Sequence, residues 1–278
     1  MTLDEKISYS IGMLQNGERL ALSINPEFGY YLAFSGGKDS QVLYALAKMA
    51  GVRFRAFYNV TSIDPPENVY FIRKNYTEVE FVHPKENFFK LVRRYGLPLM
   101  HYRFCCARLK EGYGAGCCVL TGVRAQESRK RASMHEIEVF SRRKEHAGRP
   151  RERTFDEMLE AEHQCIKGKD RVMVRPLFNW SEDDVWTFIE CNHLPINPCY
   201  SSVGRVGCMF CPFASREQRE MYLDKYPLYK SALLRSLYVY WNKFDVHALP
   251  SPDVYLDWWL SGVSLSKYLK RRPQYDVS

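Results

Sequence analysis

No apolar run in this 278-residue chain approaches the roughly 20 residues that a membrane-spanning helix needs, and no repeat or low-complexity tract is visible. Met1 to Arg19 lacks the charged-then-apolar plan of a secretory leader. These absences argue against a helical membrane protein or a repeat architecture, and the expectation is a cytoplasmic protein with no membrane partner. The mononucleotide pattern of a glycine, four spacers and Gly-Lys-Ser/Thr is missing too, which excludes a P-loop of that kind. Histidine is sparse at seven residues. His83, His101 and His193 lack a paired partner in sequence, so each reads as structural. Cysteine is not sparse: nine of them without an export signal argue against a disulfide framework and for metal or redox chemistry, because thiols stay reduced in the cytosol.

Composition is otherwise that of a globular protein, 46% hydrophobic and 26% charged. A chain of this length buries roughly 70–75% of its unfolded surface, enough for one large α/β domain or a domain with an appendage. Leu3 to Leu20 reads as an amphipathic helix with apolar residues at Leu3, Ile7, Ile11 and Leu14. Strands are expected at Tyr30 to Phe34, Phe54 to Val60, Val79 to His83, Cys117 to Val123 and Val172 to Val174, with helices between most of them. That alternation predicts an α/β fold, a parallel sheet wrapped by helices, with ligand at the carboxyl ends of strands near the switch point. Ser181 to Asn192 has a helix start signal, Ser181 three residues before Asp184, and Trp186 and Ile189 are expected to pack inward. Ser215 to Tyr240 and Tyr255 to Lys270 are helical by pattern. Tyr238, Tyr240, Trp241, Trp258 and Trp259 read as core or interface residues, with a base-stacking platform as the alternative.

Between the first strand and the helix-like run Gln41 to Met49 stands Ser35-Gly36-Gly37-Lys38-Asp39-Ser40, which reads as a phosphate cradle. The glycines let the backbone turn tightly and approach an anion, and successive N–H groups point at phosphate oxygens where a helix begins. Lys38 can add a point charge, and Ser40 can cap the helix or donate a hydroxyl to phosphate. An ordinary strand-to-helix turn is the plainer reading of these six residues alone.

The segment resembles the PP-loop of the ATP pyrophosphatase superfamily, and the similarity runs from roughly Gly29 to Pro212. Thr61-Ser62 and Pro66-Glu67 are similar to the end of the second strand in phosphoadenylylsulfate (PAPS) reductase-like proteins. Thr121 to Ser128 resembles that family's Gly-x-Arg-x-x-Glu-Ser segment. Arg175-Pro176-Leu177 with Trp180, Asp184, Val185 and Trp186, then Pro195 to Tyr200 and Gly207 to Pro212, resembles its C-terminal half. The resemblance implies an N-terminal helical segment over 1–28, a PP-loop domain over 29–214 and a C-terminal helical extension over 215–278. It implies binding of ATP and cleavage between the α and β phosphates, or binding of an adenylylated sulfur compound. In the first case the loop holds pyrophosphate while a second substrate attacks the α-phosphorus, leaving an adenylylated intermediate. The residues implied at the nucleotide are Ser35, Gly36, Gly37, Lys38, Asp39, Ser40, Thr61, Glu67, Gly122, Arg124, Glu127, Ser128 and Arg129. Of these, Lys38, Asp39 and Arg124 would carry catalysis. Arg124 and Arg129 would face the charge developing on phosphate, and Asp39 and Glu67 would hold Mg²⁺. A surface ion pair is the plainer reading of Arg124, and a solvated turn that of Glu67.

Cys105-Cys106 and Cys208-x-x-Cys211-Pro212 have the layout of the ligands that hold a [4Fe–4S] cluster in adenylylsulfate reductases and some relatives. The same four could hold Zn²⁺, since spacing does not separate soft metals, and no metal at all is the third reading. Cys117 and Cys118 open a run that reads as a buried strand, where cysteine behaves as a small hydrophobe. Cys165, Cys191 and Cys199 stand singly and read as structural.

Net charge is +8. Part of the excess falls between Arg129 and Arg153, where Lys130, Arg131, Arg142, Arg143, Lys144, Arg149 and Arg151 outnumber the acids. The stretch suits a phosphate-rich partner, RNA or DNA, or else a solvated loop beside the nucleotide. Sulfonucleotide reductases carry a nucleophilic cysteine on a C-terminal tail, whereas no cysteine follows Cys211 in this sequence. The leading expectation is therefore an ATP-dependent, cluster-containing enzyme that adenylates a nucleic-acid atom and replaces oxygen with sulfur. Four ligands would close the cluster and favour a structural or electrostatic role over the open iron of many RNA thiolases. The alternatives are a sulfonucleotide (PAPS/APS) reductase or related sulfur-assimilation enzyme, and a non-catalytic regulatory module that binds ATP and a cluster. Sulfur donor and oligomeric state leave no mark in the residues.

Overall fold

A computed structural model describes residues 1–110, 112, 114–140, 154–155, 171–243 and 248–271. Arg142, Arg143, Lys144, Arg149, Arg151 and Cys165, which the sequence reading singled out, lie outside the described residues. The chain folds as two compact units, one made of Met1–Asn59, Pro66–Val82 and Gly112–Tyr200, the other of Val60–Pro65, His83–Glu111 and Ser201–Ser278.

The first unit is built on a six-stranded sheet. In chain order its strands are β1 (Tyr30–Ala33), β2 (Phe54–Asn59), β3 (Glu80–Val82), β4 (Cys118–Leu120), β5 (Ile137–Phe140) and β6 (Arg171–Val174), and their order across the sheet is β3-β2-β1-β4-β6-β5. All pairs are parallel except β5 with β6. The strands are short and apolar: Tyr30, Leu32, Cys118, Leu120, Val172 and Val174 share one face and are fully buried, and Tyr31, Phe57 and Val119 are buried together on the other. Cys117 and Cys118 are core residues, as their hydrophobic run implies. The chain leaves β1 for β2 on one side and reaches β4 on the other, so β1 and β4 flank the topological switch point, where open α/β sheets bind ligands.

Helix α1 (Leu3–Ile24) belongs to this unit, with Thr2 closing a capping box through Glu5. Its buried stripe is Ser10, Met13, Leu14, Gly17, Leu20 and Ala21, displaced from the expected one; Leu3, Ile7 and Ile11 are half-buried. Polar anchors explain the shift, since the Ser10 hydroxyl donates to the Pro176 carbonyl at 2.7 Å and accepts from the Trp180 indole at 3.1 Å, while the Tyr30 hydroxyl donates to the Leu14 carbonyl at 2.8 Å. Helices α2 (Lys38–Met49) and α3 (Pro66–Asn75) follow β1 and β2. A 3₁₀ turn (Ala125–Glu127) and α6 (Arg129–Ala132) come between β4 and β5. After β6 comes α7 (Glu182–Cys191), capped by Ser181 as its start signal implies, which buries Val185, Phe188 and Ile189 and leaves Trp186 half-buried. Strand β5 lies in a segment the charge pattern presented as a basic stretch. Its Glu138 pairs in the interior with Arg175 at 2.7 Å, so two charges that composition counts as surface hold the sheet's edge.

The second unit is helical. Helices α4 (Phe88–Tyr95) and α5 (Phe104–Leu109) precede α9 (Arg216–Lys225), α10 (Pro227–Trp241), α11 (Pro252–Ser261) and α12 (Leu265–Arg271), and α8 (Cys199–Val203) begins in the first unit and ends in this one. Helix α4 packs on α10, burying Phe88, Leu91 and Val92 with Leu233 and Leu237. Each C-terminal run read as one helix is two. Pro227 has no N–H and biases Tyr226 away from helical backbone, to a ψ of 72°, dividing the first run. Gly262, at φ 69°, takes the left-handed cap that divides the second. Among the described residues no helix is long and apolar enough to cross a membrane.

Candidate nucleotide site

The loop between β1 and α2 turns at Gly36, whose φ of 78° belongs to glycine. A side chain there would collide: a Cβ would lie 2.3 Å from Asn68 Oδ1. Asn68 is buried and uses its amide to tie the loop down, donating to the Ser35 carbonyl at 3.1 Å. Asn197 donates to the Gly36 carbonyl at 2.8 Å and to Asn68 Oδ1 at 2.7 Å, and Tyr76 fixes Gln41 behind them by donating to its Oε1 at 2.7 Å. The loop carbonyls are thus turned into the protein. Ser40 joins in this work rather than capping: its hydroxyl donates to the Gly37 carbonyl at 2.8 Å and accepts from the Ser35 N–H at 3.2 Å. The cap itself is Gly37, which provides no side-chain bond. The N–H of Lys38, first residue of α2, donates to the Tyr200 hydroxyl at 2.8 Å. Burial pushes that phenol up to about 12, so it stays protonated.

Charge gathers at the start of α2. Arg124 is buried and its Nε donates to Asp39 Oδ1 at 2.6 Å. Lys38 Nζ lies 3.4 Å from Asp39 Oδ2 and 3.5 Å from Glu182. Both Asp39 oxygens therefore face cations, an ion-pair setting rather than an open carboxylate for Mg²⁺. Gly122, two residues after β4, is required by close approach, since a Cβ would sit 3.0 Å from the Asp39 backbone. Glu127 accepts from the Arg124 N–H at 3.0 Å and pairs with Arg131, while Ser128 caps α6 through the Arg131 N–H at 3.2 Å. Burial lowers the Arg131 pKa against an opposing pull from Asp39. Arg129 is exposed, and Glu67 is half-buried in the first turn of α3.

The structure thus brings Ser35 to Ser40, Gly122, Arg124, Glu127 and Ser128 into one network in the first unit. Thr61 falls in the second unit, where its hydroxyl donates to Asp64 Oδ2 at 2.7 Å. Sequence reasoning missed Asn68, Gln41, Asn197, Tyr200 and Arg131 as its supports. The two asparagines and Tyr200 stood inside or beside quoted segments, but only contacts give them roles. Thr121 was missed too. Its hydroxyl is buried and has no partner among the described residues, which leaves hydrogen-bonding capacity for a ligand.

The expected metal ligands all fall in the second unit. Cys208 Sγ lies 3.7 Å from Thr61 Oγ1 and 3.8 Å from Asp64 Oδ1. Burial pushes the Cys208 thiol up, with Lys110 pulling the other way. Cys105 is pushed up by its hydrogen bond with Cys106, then by burial and the nearness of Cys106 and Cys208. Cys211 is close enough to Arg219 to favour its charge. The donor chemistry suits a soft metal. The spatial arrangement does not yet form a ligand set, for among the described residues no group of three or more His, Cys, Asp or Glu side chains is gathered to hold an ion. The eight cysteines described are all free thiols.

A Methanocaldococcus jannaschii protein without an assigned activity is 27% identical over 196 residues, which is 65% of this chain and 35% of its own length. Sulfate adenylyltransferase subunit 2 of Agrobacterium fabrum is 24% identical over 195 residues, 63% of this chain and 58% of its own. The chain therefore spans less than two thirds of either relative. Among solved structures, phosphoadenylyl-sulfate (PAPS) reductase from Candida auris in a phosphate complex aligns with a TM-score of 0.46 and 18% identity over 74% of this chain and 93% of its own. The phosphoadenosine phosphosulfate reductase domain model matches residues 29–214. That span takes in the loop at Ser35, the turn at Gly122 and the cysteines from Cys105 to Cys211, and the chain belongs to the phosphoadenosine phosphosulfate reductase domain family.

Proposed function

We propose that the chain binds ATP at the Ser35–Ser40 loop, releases pyrophosphate as an oxygen of a nucleic acid is adenylated, and releases AMP with that oxygen when sulfur takes its place. The observation that carries the nucleotide half is the pair of cations, Lys38 and Arg124, held on one carboxylate at the N-terminus of α2. Incoming phosphates would take those cations from Asp39 and gain the helix dipole as well. As the α-phosphorus is attacked, Lys38 and Arg124 would stabilise the charge growing on the departing pyrophosphate, and the Thr121 hydroxyl would orient the nucleotide. Asp39, released from its cations, and Glu67 would hold a Mg²⁺ that neutralises the phosphates. Membership of an enzyme family and the sulfate adenylyltransferase relative support adenylation chemistry.

The sulfur half rests on Cys105, Cys106, Cys208 and Cys211, which would hold a [4Fe–4S] cluster or Zn²⁺; a cluster would supply an electrostatic or sulfur-handling centre. The nucleic-acid partner rests on the basic stretch from Arg129 to Arg153. The family match also favours a second reading, a sulfonucleotide reductase or related sulfur-assimilation enzyme.

Anaerobic turnover of labelled ATP separates these. AMP and pyrophosphate, released faster with RNA or DNA, are expected, and Lys38→Ala should cut turnover at least tenfold, about 1.4 kcal/mol. ADP and phosphate as sole products overturn the assigned bond. Consumption of adenylylsulfate with no response to nucleic acid transfers the assignment to the second reading.

A further inference from the structure

Within the second unit, Pro98, Met100, Pro212, Trp258, Trp259 and Leu265 help to line a cavity of about 430 Å³, a size at which proteins hold small ligands. Its walls are mostly apolar, with His101 and Ser264 the polar residues besides Arg219. Both indole N–H groups are already used, Trp258 donating to the Val263 carbonyl at 3.0 Å and Trp259 to the Pro98 carbonyl at 2.7 Å, so the rings contribute surface rather than donors. Arg219 also lines the cavity, and only 5% of it is exposed. Its Nε donates to the Ser215 carbonyl at 3.4 Å and its Nη1 to the Trp259 carbonyl at 2.5 Å, with the guanidinium 4.8 Å from the Trp259 ring centroid. Nη2 makes no hydrogen bond among the described residues, and no carboxylate there forms an ion pair with Arg219. It reaches the cavity at Gly262, where a Cβ would lie 2.8 Å from it. Burial works against the charge of this guanidinium, Cys211, Glu217 and Glu220 partly offset it, and the unmet Nη2 donor adds a cost that a ligand bringing an acceptor removes.

Aromatic and proline walls beside the unspent Nη2 of Arg219 call for a flat ring that carries a hydrogen-bond acceptor on its edge. We propose that this cavity takes a nucleobase bearing a carbonyl oxygen, stacked against the Trp258 side and accepting from Arg219. Base stacking on aromatic residues and arginine pairing with base carbonyls are the two elements of such recognition. The presentation of that base by a single strand rests on the nucleic-acid reading above; the pocket's preference for the ring itself does not.

The test compares a short oligothymidylate with an abasic strand of equal length, followed by fluorescence anisotropy at low salt without ATP. Stacking of one base contributes about 1–3 kcal/mol, so the oligothymidylate should bind roughly 5- to 150-fold tighter and quench tryptophan fluorescence. Met100→Glu, at a residue 55% exposed, places a competing acceptor at the cavity without touching the core and should collapse that ratio. Arg219→Met should do the same if circular dichroism shows it folded. Quenching by free thymidine identifies a free base as a sufficient ligand and also supports the pocket. Equal binding of the abasic strand, or a ratio unmoved by Met100→Glu, overturns the proposal, as does a response to benzoate but to neither thymidine nor strand. Pyrophosphate release is a separate readout, so failure of the ATP reading leaves this result intact and the reverse.

Discussion

Replacing Gly36 by Ala tests whether the β1–α2 loop is held as a cradle, and the structure sets the size of the effect. The new Cβ would meet Asn68 Oδ1 at 2.3 Å and Ile72 at 3.0 Å, in a backbone at φ 78°. The left-handed backbone costs an L-residue about 1 kcal/mol. Asn68 must also move, which releases its bond to the Ser35 carbonyl and the bond it accepts from Asn197. At about 1 kcal/mol for each buried hydrogen bond, the total comes to about 3 kcal/mol. Gly51 is the control: its φ of 68° is similar, but nothing lies within 4 Å of its added Cβ, so Gly51→Ala should cost about 1 kcal/mol. Urea denaturation should therefore separate the two variants by about 2 kcal/mol. Titration calorimetry should show ATP affinity down at least tenfold, about 1.4 kcal/mol, for Gly36→Ala and unchanged for Gly51→Ala. Equal destabilisation of the two would refute the anchoring by Asn68 and Asn197. Wild-type ATP affinity in Gly36→Ala would refute the loop as the phosphate site.

Anaerobically prepared protein should be brown with about four irons and four sulfides per chain. Cys208→Ala should remove the colour and the exposed Cys191→Ala should not, whereas stoichiometric zinc without sulfide would contradict the cluster. Burial alone would raise Asp184, but Lys6 at 2.5 Å and the Ser181 N–H and hydroxyl lower it on balance. A lowered carboxyl stabilises the fold above the unfolded value near 3.9 and loses that contribution as pH falls through the folded value. Asp184→Asn should thus cost about 1–3 kcal/mol at neutral pH and almost nothing in strong acid, as measured by denaturation at both. Arg142, Arg143 and Lys144 changed together to Ala should reduce the slope of log affinity against log salt for duplex DNA by about 2.7, and an unchanged slope would remove the basic stretch from the interface.

Local chemistry was the legible part of this chain. The glycines at Gly36 and Gly37, the cap at Ser181 and the apolar strand runs each act within a few residues, and each appears where the sequence implies. Strand β5 was hidden because the alternation of Ile137 and Val139 sits in a charged segment, where Glu138 is paired with the distant Arg175. The divided C-terminal helices were legible in principle, since Pro227 and Gly262 are visible breaks. A continuous aromatic and apolar pattern masked them.

By itself, then, the sequence determined the strand-loop-helix that begins the site and the alternating order that makes a parallel sheet, because turn geometry and periodicity are set by neighbours in the chain. Tertiary structure decided what that loop is fastened to. Tyr200 is 162 positions from Lys38, Asn197 is 161 from Gly36 and Arg124 is 85 from Asp39. Partners so far apart meet only because the strand order sets β4 beside β1, and the pairing of Asp39 with two cations follows from that meeting. The same holds for Arg219, an ordinary helical arginine in sequence. Packing against Trp259 leaves it buried with a donor to spare, because burial and the acceptors within reach are properties of the surroundings and not of the residue.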